Sequence, residues 1–331
     1  MPHSNCSVCL PPTTCFSSHP IGTLKALAGM LKHSVEDLLK IANTADQRYR
    51  VILRPKDGGG VRTCYDALGL LKSIHARVRK MILERVDYPV YLHGGIKDAV
   101  FRRGQRANAE QHVRPGTLIT VDIKQFFPSV NRRVVFNIWH RFFRFPPSVA
   151  DILTQLTTKD GFLPQGTKTS DLLANLVFWD VEAQVVADFH ERGIKYTRLM
   201  DDISCSTKIE MTHQEMSYIV TQLHAMVRKK GLRLNPKKQT IARASQRQVA
   251  TKLVVNEKTA LTPKRRSEVR SEVRALQQLP ATATTTQRYG KQYRQASGKV
   301  AYLRQHHPAE GAQLRAILRS LPSPPPKPAK K

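Results

Sequence analysis

Helical and strand-like apolar patterns follow one another along this 331-residue chain without regular alternation, and that order narrows its fold more than any other feature. From Ile21 to Ala45 apolar residues recur at helical spacing (Leu24, Leu27, Leu31, then Val35, Leu38, Leu39). Ser34 with Asp37 three residues on predicts a second helix start there. Tyr49–Leu53 alternates like a strand, Asp57 to Gly60 reads as a turn, and Val61–Cys64 returns as a partner strand. Ala67–Val86 predicts a longer helix and Leu118–Ile123 a short apolar strand. Arg132–Phe143 and Ser170–His190 have helical periodicity. Lys195–Ser206 breaks into two β runs around Asp201-Asp202, a hairpin with acids at its tip. His213–Lys230 predicts a helix ended by Gly231, and Val249–Val255 is strand-like. Thr262-Pro263 pairs an N-cap with proline at the first helical position, opening a helix to about Leu279 before two further helical stretches. Short strands in this irregular order predict an α+β fold with an antiparallel sheet, not a doubly wound one.

Charge narrows the partner. Lysine and arginine number 54 against 25 acids, a formal charge of +29. Self-repulsion of that size disfavours a compact chain unless it faces a polyanion, and nucleic acid is the expected one. An anionic-membrane binder is disfavoured because no strongly amphipathic basic helix stands out. No apolar run approaches the roughly 18–20 residues needed to span a bilayer, so no membrane partner is expected. The N-terminus lacks a basic start and an apolar core of the secretory kind, and five cysteines do not read as a disulfide framework, so a cytoplasmic location is expected. Cys6, Cys9 and Cys15 fit no standard zinc spacing. They are expected to be free thiols in a flexible segment, 1–20. The basic, proline-rich residues 322–331 are expected to be a disordered tail.

Asp122 stands at the end of an apolar strand in TVDIKQFFPSV, and Asp201 and Asp202 sit in RLMDDISCS. Any one such acid is usually a solvated turn residue. Carboxylates from adjacent strands can, however, hold two divalent ions about 3.5–4 Å apart, the arrangement that clamps the attacking and leaving oxygens of a phosphoryl transfer. Mg²⁺ suits such a site, since it keeps waters and substrate phosphates in its shell and needs few protein oxygens. Successive strand residues face opposite ways, but a turn lets both Asp201 and Asp202 approach Asp122.

Read in order, YRVILRPKDGGGVR, VDIKQFFPSV, LPQGTKTSDLLAN, YTRLMDDISCS, LRLNPKKQT and QVATKLVVN resemble the successive motifs of a reverse transcriptase. ANAEQHV, with Asn108 and His112, resembles the NAxxH element of retron reverse transcriptases, and SGKVAYLRQHHP resembles their thumb. The resemblance covers about Leu24 to Leu321. It implies a right-hand polymerase: N-terminal helices over 21–45, fingers and palm over 46–250, and a helical basic thumb over 251–321. It also implies that Asp122, Asp201 and Asp202, with the Ile123 carbonyl, bind two Mg²⁺. Lys56 and Arg62 would hold the triphosphate. Phe127 would lie under the sugar and exclude a 2′-OH, although one of Phe126 and Phe127 is expected in the core. Gln165-Gly166 would turn against the incoming nucleotide, and Lys238, or its neighbour Lys237, would protonate the pyrophosphate.

Three motifs depart from the pattern. Leu199 and Met200 replace the usual residues before the paired acids, Asp171 replaces a proline near the template, and Ala250-Thr251-Lys252 replaces the retron VTG triplet that reads cognate RNA. Residues 256–331 hold 16 Lys and Arg against 4 acids, with tyrosines interleaved. Asn108, His112, Thr251, Lys252, Tyr289, Tyr293, Lys299 and Arg304 are therefore the expected RNA contacts. The implied activity is synthesis of DNA from dNTPs on a structured non-coding RNA that is both template and primer. The implied product is branched RNA–DNA for antiphage defence, with a separate effector protein as partner. A group II intron-like or phage-exclusion reverse transcriptase, or a non-catalytic RNA-binding scaffold, are the competing readings.

Overall fold

The computed structural model of the protein describes residues 13–56 and 59–326. Cys6, Cys9 and the final residues 327–331 lie outside these; Cys15 is an exposed free thiol. It belongs to strand β1 (Cys15–Phe16). Helices α1 (Leu24–Leu31) and α2 (Val35–Asn43) follow, separated by Lys32 in the left-handed region. The Ser34 hydroxyl accepts the Asp37 N–H at 3.0 Å and donates to the Asp37 carboxylate at 2.7 Å, which fixes where α2 begins. Leu27, Leu31, Leu38 and Ile41 enter the main core.

The hairpin β2 (Tyr49–Pro55) and β3 (Val61–Ala67) pairs from Tyr49↔Ala67 out to Pro55↔Val61. The helix expected over 67–86 is shorter: α3 (Gly69–Met81) stops where Ile82 leaves helical geometry, and a 3₁₀ turn leads into β4 (Val86–Asp87), paired with β1. After α4 (Gln105–Glu110) comes β5 (Thr117–Asp122). A helical layer then builds the core behind the sheet: α5 (Phe126–Ser129), α6 (Arg132–Asn137) widening into a π turn, α7 (Pro147–Thr157), α8 (Ser170–Asn175) and α9 (Glu182–Glu191). The stretch expected to be helical over 170–190 is thus divided. Leu172, Leu173, Ala174, Leu176, Val177 and Phe178 are all buried, so the run has no polar face, and a 3₁₀ turn at 176–178 breaks it.

Strands β6 (Lys195–Leu199) and β7 (Asp202–Thr207), helix α10 (His213–Arg228) and strand β8 (Thr240–Arg243) complete this part. The sheet order is β6-β7-β5-β8, antiparallel throughout, as the irregular element order predicts. The segment 249–255 is not one strand. It folds as β9 (Val249–Ala250) and β10 (Leu253–Val254) around Thr251 and Lys252, both left-handed, with β11 (Ala260–Leu261) beside β10.

Helices α11 (Pro263–Gln277), α12 (Gln287–His306) and α13 (Pro308–Ser320) enclose a second core of Val269, Val273, Tyr289, Val300, Leu303 and Leu314. Residues 322–326, expected as tail, lie against α12 instead. Tyr289 donates to the Pro322 carbonyl at 2.6 Å, Arg294 to Pro325 at 2.8 Å and Gln287 to Pro326 at 3.2 Å. A proline-rich strand has no internal hydrogen bonds, so its carbonyls are available to donors on a neighbouring helix. Among the described residues no helix is long and apolar enough to cross a membrane. A hairpin, a four-stranded sheet backed by helices and a separate three-helix unit make up the right-hand polymerase plan that the resemblance implies.

Candidate active site

Asp122 closes β5 and Asp202 opens β7, and the two are register partners across the sheet. Asp201 sits in the tight turn between β6 and β7, where Met200 takes a positive φ of 59°. The Ile123 N–H donates to the Asp201 carbonyl at 3.0 Å, stitching the turn to the end of β5. Asn235 donates its N–H to the Asp122 carbonyl at 2.8 Å, and the turn after it brings Lys238 Nζ to Asp122 Oδ1 at 2.7 Å. All three acids therefore occupy one end of the sheet, Asp122 and Asp202 on adjacent strands and Asp201 in the turn before β7.

Crowding shows in their acidities. Burial, then the neighbouring charges of Asp201 and Asp122, pushes the Asp202 carboxyl up to about 6. Burial and Asp122 raise Asp201 too. The hydrogen bond to Asp122 raises Lys238, keeping its ammonium charged. Among the described residues no three Asp, Glu, His or Cys side chains close into a ready-made metal cage, and Lys238 occupies one oxygen of the Asp122 carboxylate. The donor set still fits a hard divalent cation. It is all oxygen, partly desolvated and mutually repulsive, and a cation would relieve that repulsion.

Other predicted site residues fall into two groups. Arg62 is close enough to favour the charged form of Asp201 electrostatically, and it pairs with Arg54 on the exposed hairpin that also carries Lys56. Phe126 stacks on Phe178 at 6.2 Å, and both it and Phe127 are buried in the main core. Gly166 has a φ of +106°, and an added Cβ would lie 3.1 Å from the Tyr65 carbonyl. The adjoining Gln165 carbonyl accepts the Tyr65 N–H at 2.8 Å. The close approach that demands glycine is therefore to the backbone of β3, which locks this loop onto the hairpin. Asp171 is no open acid by a template: Arg79 donates to its two oxygens at 2.8 and 2.9 Å and also reaches the Gly95 carbonyl.

Burial covers four of the expected RNA contacts, Asn108, His112, Thr251 and Tyr289, and half-covers Tyr293. Asn108 and His112 are enclosed, and His112 bonds Ser206 and Thr197 rather than facing solvent. Tyr289 is in the second core, and Tyr293 donates to the Leu318 carbonyl at 2.9 Å. In α12 Tyr289 faces inward because that helix has to supply the apolar stripe of a small core. Lys299 is ion-paired with Glu272. Lys252 and Arg304 are exposed, and Thr251 lies under the turn, where its carbonyl accepts from Gln105 Nε2 at 2.6 Å.

Sequence reasoning overlooked Arg198 and Glu182. This fully buried pair is bidentate, at 2.6 and 2.8 Å, and Tyr196 donates to the same carboxylate. Arg198 also reaches the carbonyls of Met200 at 3.2 Å and Asn175 at 2.9 Å, bracing the acid-bearing turn from behind. The available signal was an arginine three residues before Asp201, inside the strand KYTRL that leads into the turn.

Residues 55–279 match the family described as reverse transcriptase (RNA-dependent DNA polymerase). Fold and site thus define an enzyme that polymerises DNA on RNA. The chain is similar to the retron Se72 reverse transcriptase of Salmonella heidelberg, at 30% identity over 92% of this chain and 80% of that protein. It is also similar to the retron Ec48 and Ec86 reverse transcriptases of Escherichia coli, each at 29% identity, over 86% and 72% of this chain and 72% and 73% of theirs. The chain belongs to the retron reverse transcriptases. Enzymes of this family read an RNA template, consume dNTPs and use divalent metal ions.

Proposed function

We propose that the chain copies a structured non-coding RNA, which also primes synthesis, into a covalent, branched RNA–DNA molecule that serves antiphage defence together with a separate effector protein. The observation that carries this reading is the pairing of Asp122 with Asp202 across β5 and β7, with Asp201 in the adjoining turn. Asp122, Asp201, Asp202 and the Ile123 carbonyl would hold two Mg²⁺. Bound there, such ions lower the pKa of the attacking hydroxyl and neutralise the departing pyrophosphate.

The chain's own residues do the rest. Lys56 and Arg62, on the exposed hairpin, bind the triphosphate, Arg62 through its planar fork. The Phe127 ring fills the space a ribose 2′-OH would need. Lys238, held protonated beside Asp122, gives a proton to the pyrophosphate oxygen as the bond to the α-phosphate breaks and the new ester forms. A basic cleft between α4, the β9–β10 turn and α11, lined by Gln105, Lys252, Lys264, Arg265, Glu268 and Tyr302, receives RNA phosphates. A lysine where the family keeps glycine adds affinity there without reading a base.

Sequencing the nucleic acid that copurifies with the protein tests this. A discrete RNA joined to DNA supports it. Heterogeneous bulk RNA without attached DNA contradicts it.

A further inference from the structure

The asparagine, alanine and histidine of the NAxxH element are buried, and the histidine bonds protein. The His112 ring reaches two strands at once: Nδ1 lies 2.7 Å from Ser206 Oγ on β7 and Nε2 2.7 Å from Thr197 Oγ1 on β6. Thr197 pairs with Ser204 and Ser206 with Lys195, so the two hydroxyls are diagonal neighbours across the hairpin. Such positions stand about 7–8 Å apart, a span that one flat ring with a hydrogen bond at each end can cover. Burial keeps the ring neutral, so one nitrogen donates and the other accepts, and hydroxyl groups can serve either.

Surrounding groups favour a fixed ring. Gln105, at the start of α4, is held by the Thr251 carbonyl at 2.6 Å and by the Tyr302 hydroxyl at 2.9 Å. His93 donates its backbone N–H to Arg198 of β6 at 2.9 Å, and its buried ring lies near enough to disfavour a charge on His112. Among the described residues the side chains of His93, Asn108 and Ser204 have no hydrogen-bond partner, and His112 is the one side chain that bonds both strands.

We propose that His112 is a positioning residue. It staples β6 to β7 and so fixes the turn that presents Asp201 and Asp202 to Asp122, and it does not touch RNA. The inference rests on the polymerase reading of those acids and deepens it.

The test uses Ser206→Ala and Thr197→Val, each removing one end of the staple, and His112→Ala, removing both. Primer-extension turnover, dNTP KM, RNA affinity at fixed salt and amide exchange over 195–207 are measured on the full chain. Turnover is expected to fall about tenfold or more, since small displacements of catalytic groups are costly. RNA affinity stays within about twofold, and exchange in the hairpin accelerates. Ser206→Ala adds little once His112→Ala is present, because the two remove one interaction. His112→Gln, which keeps a donor and an acceptor, restores part of the turnover. Weakened RNA binding with full turnover at saturating RNA would overturn the proposal, as would unchanged turnover in both hydroxyl variants. Should His112→Ala fail to fold, the two hydroxyl variants decide. An inactive parent would count against the polymerase reading, whereas the exchange data judge the staple by themselves.

Discussion

Lys238 holds the carboxylate of Asp122 at 2.7 Å, so the acid at the end of β5 meets a cation from its own chain. The same ammonium is placed to protonate a leaving pyrophosphate. Lys238→Ala is expected to lower turnover about a hundredfold, the range of a single general acid, and to leave RNA affinity unchanged. Single-turnover incorporation at saturating dNTP measures the first effect and filter binding the second. An unaffected rate would remove Lys238 from the chemistry.

The Asp202 carboxyl, raised to about 6, makes stability depend on pH in a specific direction. Between its unfolded value of about 4 and about 6 the folded chain holds this proton more tightly than the unfolded chain does. Its contribution therefore becomes less favourable as pH rises through that window, and the whole penalty is present above it. Without divalent ions, Asp202→Asn should be more stable than the parent at pH 7.5. That advantage should shrink by pH 5, as read from urea midpoints of the two proteins.

Arg198 and Glu182 form a buried pair in contact with the turn, and removing one partner strands a charge. Arg198→Met is expected to cost about 3–5 kcal/mol. The double variant Arg198→Met, Glu182→Leu should recover much of it. Denaturant titration of the three variants checks both statements, and an Arg198→Met chain as stable as the parent would contradict them.

Lys252 adopts a φ of 69° in the β9–β10 turn, a conformation glycine takes without strain. Lys252→Gly is expected to leave stability equal or up to about 1 kcal/mol higher. It should also reduce the slope of log affinity for RNA against log salt by about one, the signature of one lost phosphate contact. Affinity measured across a salt series decides.

Much of this site was legible because its signals are local. The Asp201-Asp202 turn between two β runs, the Ser34 and Thr262 caps and the acid ending an apolar strand each occupy a few adjacent residues, and each stands where expected. What was not legible depends on which side of an element meets the core. Tyr289 and Tyr293 read as an aromatic face for RNA, but a three-helix unit this small takes Tyr289 inside and packs Tyr293 against the edge of its core. Asn108 and His112 read as RNA contacts through the resemblance of their motif, whereas the partners of His112, Thr197 and Ser206, lie some ninety residues away. Arg198 escaped notice for the same reason, its partner Glu182 being on another element. Residues 322–326 read as tail from composition alone, yet the donors on α12 give their carbonyls somewhere to bind.

Primer extension on poly(rA) with an oligo(dT) primer, dTTP and Mg²⁺ tests the central claim most directly when the parent and Asp201→Asn are assayed side by side. The account predicts elongated products from the parent and a loss of at least about a hundredfold in the variant, with both chains equally folded. Equal extension by the two proteins, or none by the parent, would contradict it.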